Sequence, residues 1–448
     1  MGISSNKKNQ IVDGILWKSF ILYFIPILIS NIIQQSYSIA DALIIGNYAG
    51  KNALGAIDAP LAYIRLLINT FIGLSSGGGI IISQFYGRKD LKSVKKNISL
   101  LLLFAIAIGV ILSIIGISLA SFFLDILNVP VEIYNLSLIY LKIYFSGTVF
   151  VFLFNIISGI LQAIGDSKTP FIFLTISSCI NIILDIIFVA YFKLGVAGAG
   201  IATVLSQILA TILIFYKLRE KKELFQIKFE ITKENYRYLT NIFKLGFPMA
   251  AQAIIFSVSN MFMQREINYF GSIAIIGWSI CGKADFIIWN MADSIGISVT
   301  TFIAQNYGAK KIERIKKSLL QGLYLGGILF TISSIFLYYN IEFIAGLFVK
   351  DQAAIDMTVF LLRIIAPFYI FYMFSEVFGG AFRGMGYTFY PMICGLIGIS
   401  FFRIAWIFFI LSDRKDLAMV IKAYPWSWII TVFLQIFCYF CIRKKIFK

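Results

Sequence analysis

Histidine is absent from the 448 residues, which removes imidazole acid–base chemistry and the commonest zinc ligand and argues against a protease or oxidase. Cysteine is scarce. Cys179, Cys281, Cys394, Cys438 and Cys441 fall inside apolar runs at no ligand-like spacing, so neither a disulfide framework nor a zinc site is supported. Charge is also thin, at 14% of residues against 59% hydrophobic and a mean hydropathy of +0.87, which excludes a soluble two-domain protein. No stretch is polar and long enough to form a separate soluble domain.

What remains is a chain for a bilayer. Apolar runs able to cross about 30 Å of hydrocarbon recur throughout. They predict twelve spans, near 15–46, 58–85, 98–122, 134–160, 171–192, 197–217, 243–270, 277–305, 318–345, 357–380, 390–411 and 418–441. The fold class is therefore an all-α integral membrane protein. The net charge of +17 sits in short loops: Arg88, Lys89, Lys92, Lys95 and Lys96, then Lys310, Lys311, Arg314, Lys316 and Lys317, then Arg443 to Lys445. That placement reads as topology setting rather than nucleic-acid binding. It puts both termini on the cytoplasmic side of the cell (inner) membrane. The first apolar run follows Lys7 and Lys8, is long and lacks a small-residue cleavage site, so it is expected to stay in the mature protein.

The sequence also repeats itself. At an offset of 221, Asn47-Tyr48-x-Gly50 meets Asn268-Tyr269-x-Gly271, and Gln84-x-Tyr86-Gly87 meets Gln305-x-Tyr307-Gly308. Gly165 and Pro170 meet Gly386 and Pro391, and Ser206 meets Ser427. Each repeat holds an even number of crossings, so the expected architecture is two pseudo-symmetric six-helix bundles in parallel orientation. Residues 1–216 form the first bundle, 217–242 a polar cytoplasmic linker containing Glu220-Lys221-Lys222-Glu223, and 243–448 the second. Gly77-Gly78-Gly79 has no preceding strand and no following Gly-Lys-Ser/Thr, so it reads as a close helix contact rather than a phosphate loop.

Ionisable residues deep in spans cost free energy and are functional candidates until explained. Asp41 lies in the first span. Asn181 and Asp185 share one face of the fifth at i, i+4, and Thr203 lies at similar depth in the sixth. At a rise of 1.5 Å per residue they cluster roughly 8–17 Å below the outer boundary. Such an oxygen-only set suits a hard monovalent cation, Na+, or a trapped proton. The competing reading makes Asp185 and Asn181 interhelical hydrogen-bond glue and Asp41 a snorkelling residue. Equivalents at the 221 offset are Phe262, Phe402, Trp406 and Tyr424, all aromatic, and packing glue would tend to serve both halves alike.

Pro26 interrupts the first span ahead of Asp41 and is a candidate gating kink, with Pro248 in a similar place in the seventh. Apart from Met1, all methionines lie in the second half, Met261 among them. With Phe262, Trp289, Phe402, Trp406 and Tyr424 they suit either an adaptable pocket for flat cations or plain core filling. Asp285 and Asp293 would attract a cationic substrate there, and Arg403 is the one deep basic residue.

Taken together, Gln162-Ala163-x-Gly165-Asp166-x-Lys168-Thr169-Pro170, Asp41 within Ile39-Ala40-Asp41 to Gly46, Asn181-x-x-x-Asp185, Ala199-x-x-x-Thr203 and Gly384-x-Gly386 to Pro391 carry a resemblance. The whole chain resembles the multidrug and toxic compound extrusion (MATE) family. The resemblance implies a multidrug antiporter that expels lipophilic, usually cationic compounds in exchange for Na+ or H+. It further implies a coupling site of Asp41, Asn181, Asp185, Thr203 and the Ala199 carbonyl, no enzymatic activity and no cofactor beyond the coupling ion. One chain suffices for the central cleft, so a functional monomer is expected. A flippase for lipid-linked saccharides is the alternative, and it would need several deep basic residues. Some family members carry a Glu in the seventh span, where this chain has Phe256, Ser257 and Ser259.

Overall fold

The computed structural model describes residues 9–221, 223–224, 233–410 and 416–446. Much of the 217–242 linker, with Lys222, and the leading Lys7 and Lys8 lie outside the described residues.

Helices account for nearly all of it, with no strand among the described residues. In chain order they are α1 (Gln10–Asp13), α2 (Leu16–Tyr48), α3 (Lys51–Asp58), α4 (Leu61–Gly87), α5 (Leu91–Ser118), α6 (Ala120–Ile126), α7 (Val131–Ser146), α8 (Thr148–Ala163), α9 (Lys168–Asp185) and α10 (Gly195–Glu220). The second repeat gives α11 (Lys233–Asn268), α12 (Ser272–Ala284), α13 (Phe286–Gly308), α14 (Ile312–Phe348), α15 (Gln352–Ile365), α16 (Tyr369–Gly384), α17 (Phe389–Gly395), α18 (Phe402–Phe409) and α19 (Leu417–Ile446). Among the described residues, eleven helical stretches are long and apolar enough to cross a membrane, and α7 with α8, bent by 48°, makes the twelfth. The bend falls at Gly147, and its counterpart 221 residues on, Phe368, ends a 3-10 turn between α15 and α16.

The repeat is visible in the backbone. Positive φ recurs at Gly50 and Gly271, Lys89 and Lys310, and Gly165 and Gly386. A left-handed residue closes each turn, and glycine adopts that conformation without a Cβ penalty. The Ser206 hydroxyl donates to Thr203 O at 2.8 Å, and Ser427 donates to Tyr424 O at 2.6 Å, the same bond in both repeats. Asp166 caps the turn after α8, accepting from the Thr169 amide at 3.1 Å and hydroxyl at 2.9 Å, and Lys221 lies 3.1 Å from it.

The chain forms two compact units, Leu22–Gly246 and Phe247–Lys448 with the described residues up to Ile21. In the first, Phe71, Ile82, Leu101, Phe152, Ile157 and Ile214 belong to one apolar core, and a second gathers Ile45, Tyr63, Phe145, Val189 and Ala199. A Cβ on Gly77 would lie 2.5 Å from Ile242 O and 2.6 Å from Gly246 N, so α4 and α11 touch backbone to backbone there. Gly78 meets Leu101, while Gly79 faces open space. In the second unit α1 docks on α13 and α14. Lys311 pairs with Asp13 at 2.6 Å, Arg314 donates to Ile11 O and Gly14 O, and Asn9 donates to Gln305 Oε1 at 3.0 Å. Both α2 and α11 therefore begin in one unit and end in the other, and each runs unbroken through its proline, Pro26 or Pro248.

Candidate ion and substrate sites

In the first unit α10 packs on both α7 and α9, and this brings three site-bearing helices side by side. Asn181 and Asp185 are 2% and 1% exposed, and Asp41 on α2 is half-buried. The Asp41 and Asp185 carboxyl groups come within hydrogen-bonding range of each other. Yet among the described residues no donor serves either Asp185 oxygen, Asp41 Oδ1, or Asn181 Oδ1, and the Asn181 amide nitrogen has no acceptor. Ionised carboxylates only accept, so two of them meeting without a donor leave a place for a proton or a small cation between them. Two unit charges about 4 Å apart repel by about 4 kcal/mol at an effective dielectric near 20, an energy a bound positive charge relieves.

The third helix contributes a different contact. Thr203 Oγ1 donates to Ala199 O at 3.0 Å, so both oxygens are held on one turn of α10. Immediately after Asp185 the chain enters a π-helical turn, Ile186–Tyr191, a geometry that often accompanies functional positions.

Three tyrosines complete this site and escaped the sequence reading. Tyr37 lies within electrostatic reach of Asp41 and Asp185, and so does Tyr140, with the Tyr144 ring tilted against Tyr140 at 6.0 Å. A signal existed: their counterparts at the 221 offset are Val258, Leu361 and Ile365. The comparison that singled out Asp185 would have singled them out too.

In the second unit the predicted substrate residues divide into groups. Asp285, Trp289 and Tyr424 join one aromatic nest. The Tyr369 hydroxyl donates to Asp285 Oδ2 at 2.7 Å, while buried Asp285 Oδ1 and the Trp428 indole nitrogen have no partner among the described residues. Trp289 lies 4.6 Å from Tyr372, 5.9 Å from Trp428 and 6.1 Å from Tyr369. Tyr424 lies 6.4 Å from Trp428 and carries the Arg403 guanidinium over its face at 4.2 Å. Arg403 is 1% exposed and is held by Ser427 Oγ at 3.0 Å and Asn260 Oδ1 at 2.8 Å.

The remaining candidates stand apart. Asp293 is exposed and faces the ion pair of Arg383 with Glu376, 2.9 Å, a pair the sequence reading missed. Phe402 and Trp406 pack on each other at 5.4 Å, with the Trp406 indole donating to Met419 O. Met261 is 71% exposed, and Phe262 is exposed beside it.

A family model, MatE, matches the chain twice, over residues 26–187 and 248–409. The chain belongs to the MatE family. Each MatE segment opens at a proline inside a helix, Pro26 in the first copy and Pro248 in the second. The probable multidrug resistance protein YoeA of Bacillus subtilis is 28% identical over 96% of this chain and 95% of its own. The multidrug export protein MepA of Staphylococcus aureus is 24% identical over 85% of each. Among solved structures, a multidrug resistance MATE family transporter in its outward-facing conformation superposes with a TM-score of 0.88 at 19% identity, covering 99% of both chains. The Vibrio cholerae MATE transporter VcmN, solved as a point mutant, gives 0.90 at 16% identity over 96% of this chain and 97% of its own. This MatE chain is thus a multi-pass membrane protein of the transporter fold, with the MatE segments carrying Asp41, Asn181 and Asp185 in the first copy and the aromatic nest largely in the second.

Proposed function

We propose that the chain is a multidrug efflux transporter of the cell membrane, exchanging lipophilic cationic compounds for H+ or Na+ by alternating access. The observation that carries this reading is the meeting of Asp41 and Asp185 in a buried setting with no donor between them. A proton or Na+ entering from outside binds the pair, with Asn181, the Ala199 carbonyl and Thr203 as further oxygens. Pro26, in the helix that carries Asp41, is where α2 rearranges in response. Drug affinity falls, the compound leaves, and release of the ion inward restores the drug-accepting state. Ion and drug must weaken each other's binding by the same factor, since coupling is reciprocal.

The drug site falls in the second unit. Trp289, Tyr424 and their aromatic neighbours supply cation–π surfaces, and Asp285 and Asp293 the negative charge. The termini lie in the cytoplasm, and one chain is the working unit. A flippase for lipid-linked saccharides draws less support, because Arg383 is engaged by Glu376 and Arg403 by Asn260 and Ser427.

The test is efflux of a fluorescent lipophilic cation from proteoliposomes under separately imposed Na+ and H+ gradients, comparing the unsubstituted chain with Asp41→Asn. Transport driven by one gradient and lost in the variant is expected, and it identifies the ion. Equal transport in both proteins removes the proposed coupling site, and none under either gradient removes the antiport reading.

A further inference from the structure

Above the paired carboxylates, the first unit holds a cavity of about 370 Å³ at the hairpin that joins α9 to α10. Its walls come from the helices that frame the ion site, with Ala49 and, on α3, Ala53. Tyr48 ends α2, two turns beyond Asp41. Leu136 and Ile139 on α7 precede Tyr140, Val189 follows Asp185, and Val196 precedes Ala199. Every lining side chain but one is apolar or tyrosine.

The exception is Lys193, at φ 55° on the hairpin, with no carboxylate paired to it among the described residues. Around it Tyr48, Ile139, Tyr191, Phe192 and Leu194 are exposed. Aromatic side chains clustered beside a basic residue mark the boundary between hydrocarbon and headgroups. An apolar recess of drug-like size, entered at that boundary beside a single positive charge, matches one class of occupant.

We propose that this cavity binds one anionic phospholipid, with an acyl chain among Leu136, Ile139, Val189 and Val196 and the phosphate on Lys193 Nζ. The counterpart of Lys193 in the second repeat, Arg414, lies outside the described residues. That repeat's counterparts to Leu136, Ile139 and Val196 are Met357, Phe360 and Leu417. Bound lipid would bridge the ends of all four helices that frame the carboxylate pair. The site stands whichever ion that pair takes.

Native mass spectrometry of the full chain, delipidated and titrated with dioleoyl phosphatidylglycerol or dioleoyl phosphatidylethanolamine, tests it. One phosphatidylglycerol is expected to be retained in preference to phosphatidylethanolamine. Lys193→Gln should weaken that retention about tenfold, the scale of one charge-assisted contact, and Lys193→Arg should preserve it. Ala197→Phe, which fills the recess, should abolish retention of both lipids. Equal retention of the two lipids by the unsubstituted chain overturns the proposal. So does phosphatidylglycerol retention unchanged by either Lys193→Gln or Ala197→Phe, with thermal melting confirming that each variant is folded.

Discussion

At Gly50 and Gly271, Lys89 and Lys310, and Gly165 and Gly386 the two repeats make the same left-handed turns, yet Asp185 has Trp406 as its counterpart and Arg403 has Ile182. Backbone geometry has been kept while buried chemistry has parted. The first unit buries two acids facing each other without a donor. The second buries a guanidinium held by neutral oxygens and ring faces, beside an acid of which one oxygen accepts from a tyrosine. An arrangement missing a positive charge can respond to an ion. One whose polar groups are mostly answered by fixed neighbours is suited to presenting a shaped surface.

The sharpest way to break this comparison is to exchange charge in one unit only. Asp185→Asn should lower gradient-driven efflux about 100-fold, at the upper end of ordinary coupling energies, while leaving the melting temperature near that of the unsubstituted chain. Trp289→Phe, in the aromatic nest of the second unit, should raise KM for the drug a few-fold and leave the driving ion unchanged. Efflux kinetics in proteoliposomes distinguish the two. If both substitutions abolish gradient dependence, the division of labour between the units is wrong.

A second test concerns the buried cation. Asn260→Leu leaves the Arg403 guanidinium without its 2.8 Å acceptor, and stripping one partner from a buried charge costs about 3 kcal/mol. Thermal unfolding in detergent should drop by several degrees. In the first repeat the counterpart of Arg403 is aliphatic, and Ile182→Val should cost only about 1 kcal/mol. Similar effects at the two positions would mean that Arg403 is better solvated than its surroundings suggest.

Packing gives a smaller effect. Gly246→Ala would drive a methyl into Leu74 O, and Gly77→Ala would press on Ile242 O, each costing about 1–3 kcal/mol. Gly79→Ala, facing open space, should be neutral within error. Melting curves of the three variants check whether the helix crossing is as tight as its backbone contact requires.

How much of this was legible beforehand depended on what fixes each feature. Span positions follow from composition, and the repeat follows from turn residues, since Gly165 and Gly386 must adopt a conformation that few residues tolerate. The acid pair was legible because charge in a span is costly wherever it points. The aromatic nest was not. Whether Tyr369 or Met261 faces inward depends on helix rotation, and in a membrane protein the lipid-facing side is as apolar as the core, so periodicity carries little signal. The docking of α1 on Lys311 and Arg314 was hidden for another reason, because those residues read equally well as topology charges.

The mildest contrast lies at the start of the third span of each repeat. Asp90 caps α5, accepting from the Ser93 amide at 3.1 Å and the Ser93 hydroxyl at 2.6 Å, whereas its counterpart Lys311 gives α14 no side-chain cap and holds Asp13 instead. Partial burial works to raise the Asp90 carboxyl, but the Ser93 bonds, with Arg88 and Lys92 nearby, outweigh it and hold the group below the usual carboxylate range. A depressed folded value means that the contribution is fully present above the unfolded value, near 3.9, and is lost as pH falls through the folded one. Asp90→Ala should therefore cost about 0.5–1 kcal/mol at neutral pH, the low end for a solvent-screened cap, and progressively less on acidification. Lys311→Ala, which removes the ion pair with Asp13, should cost a similar amount at neutral pH. Melting temperatures from pH 7 down to about pH 2, through the carboxylate range, compare them: a penalty for Asp90→Ala that grows as pH falls would mean the carboxylate is not the capping form.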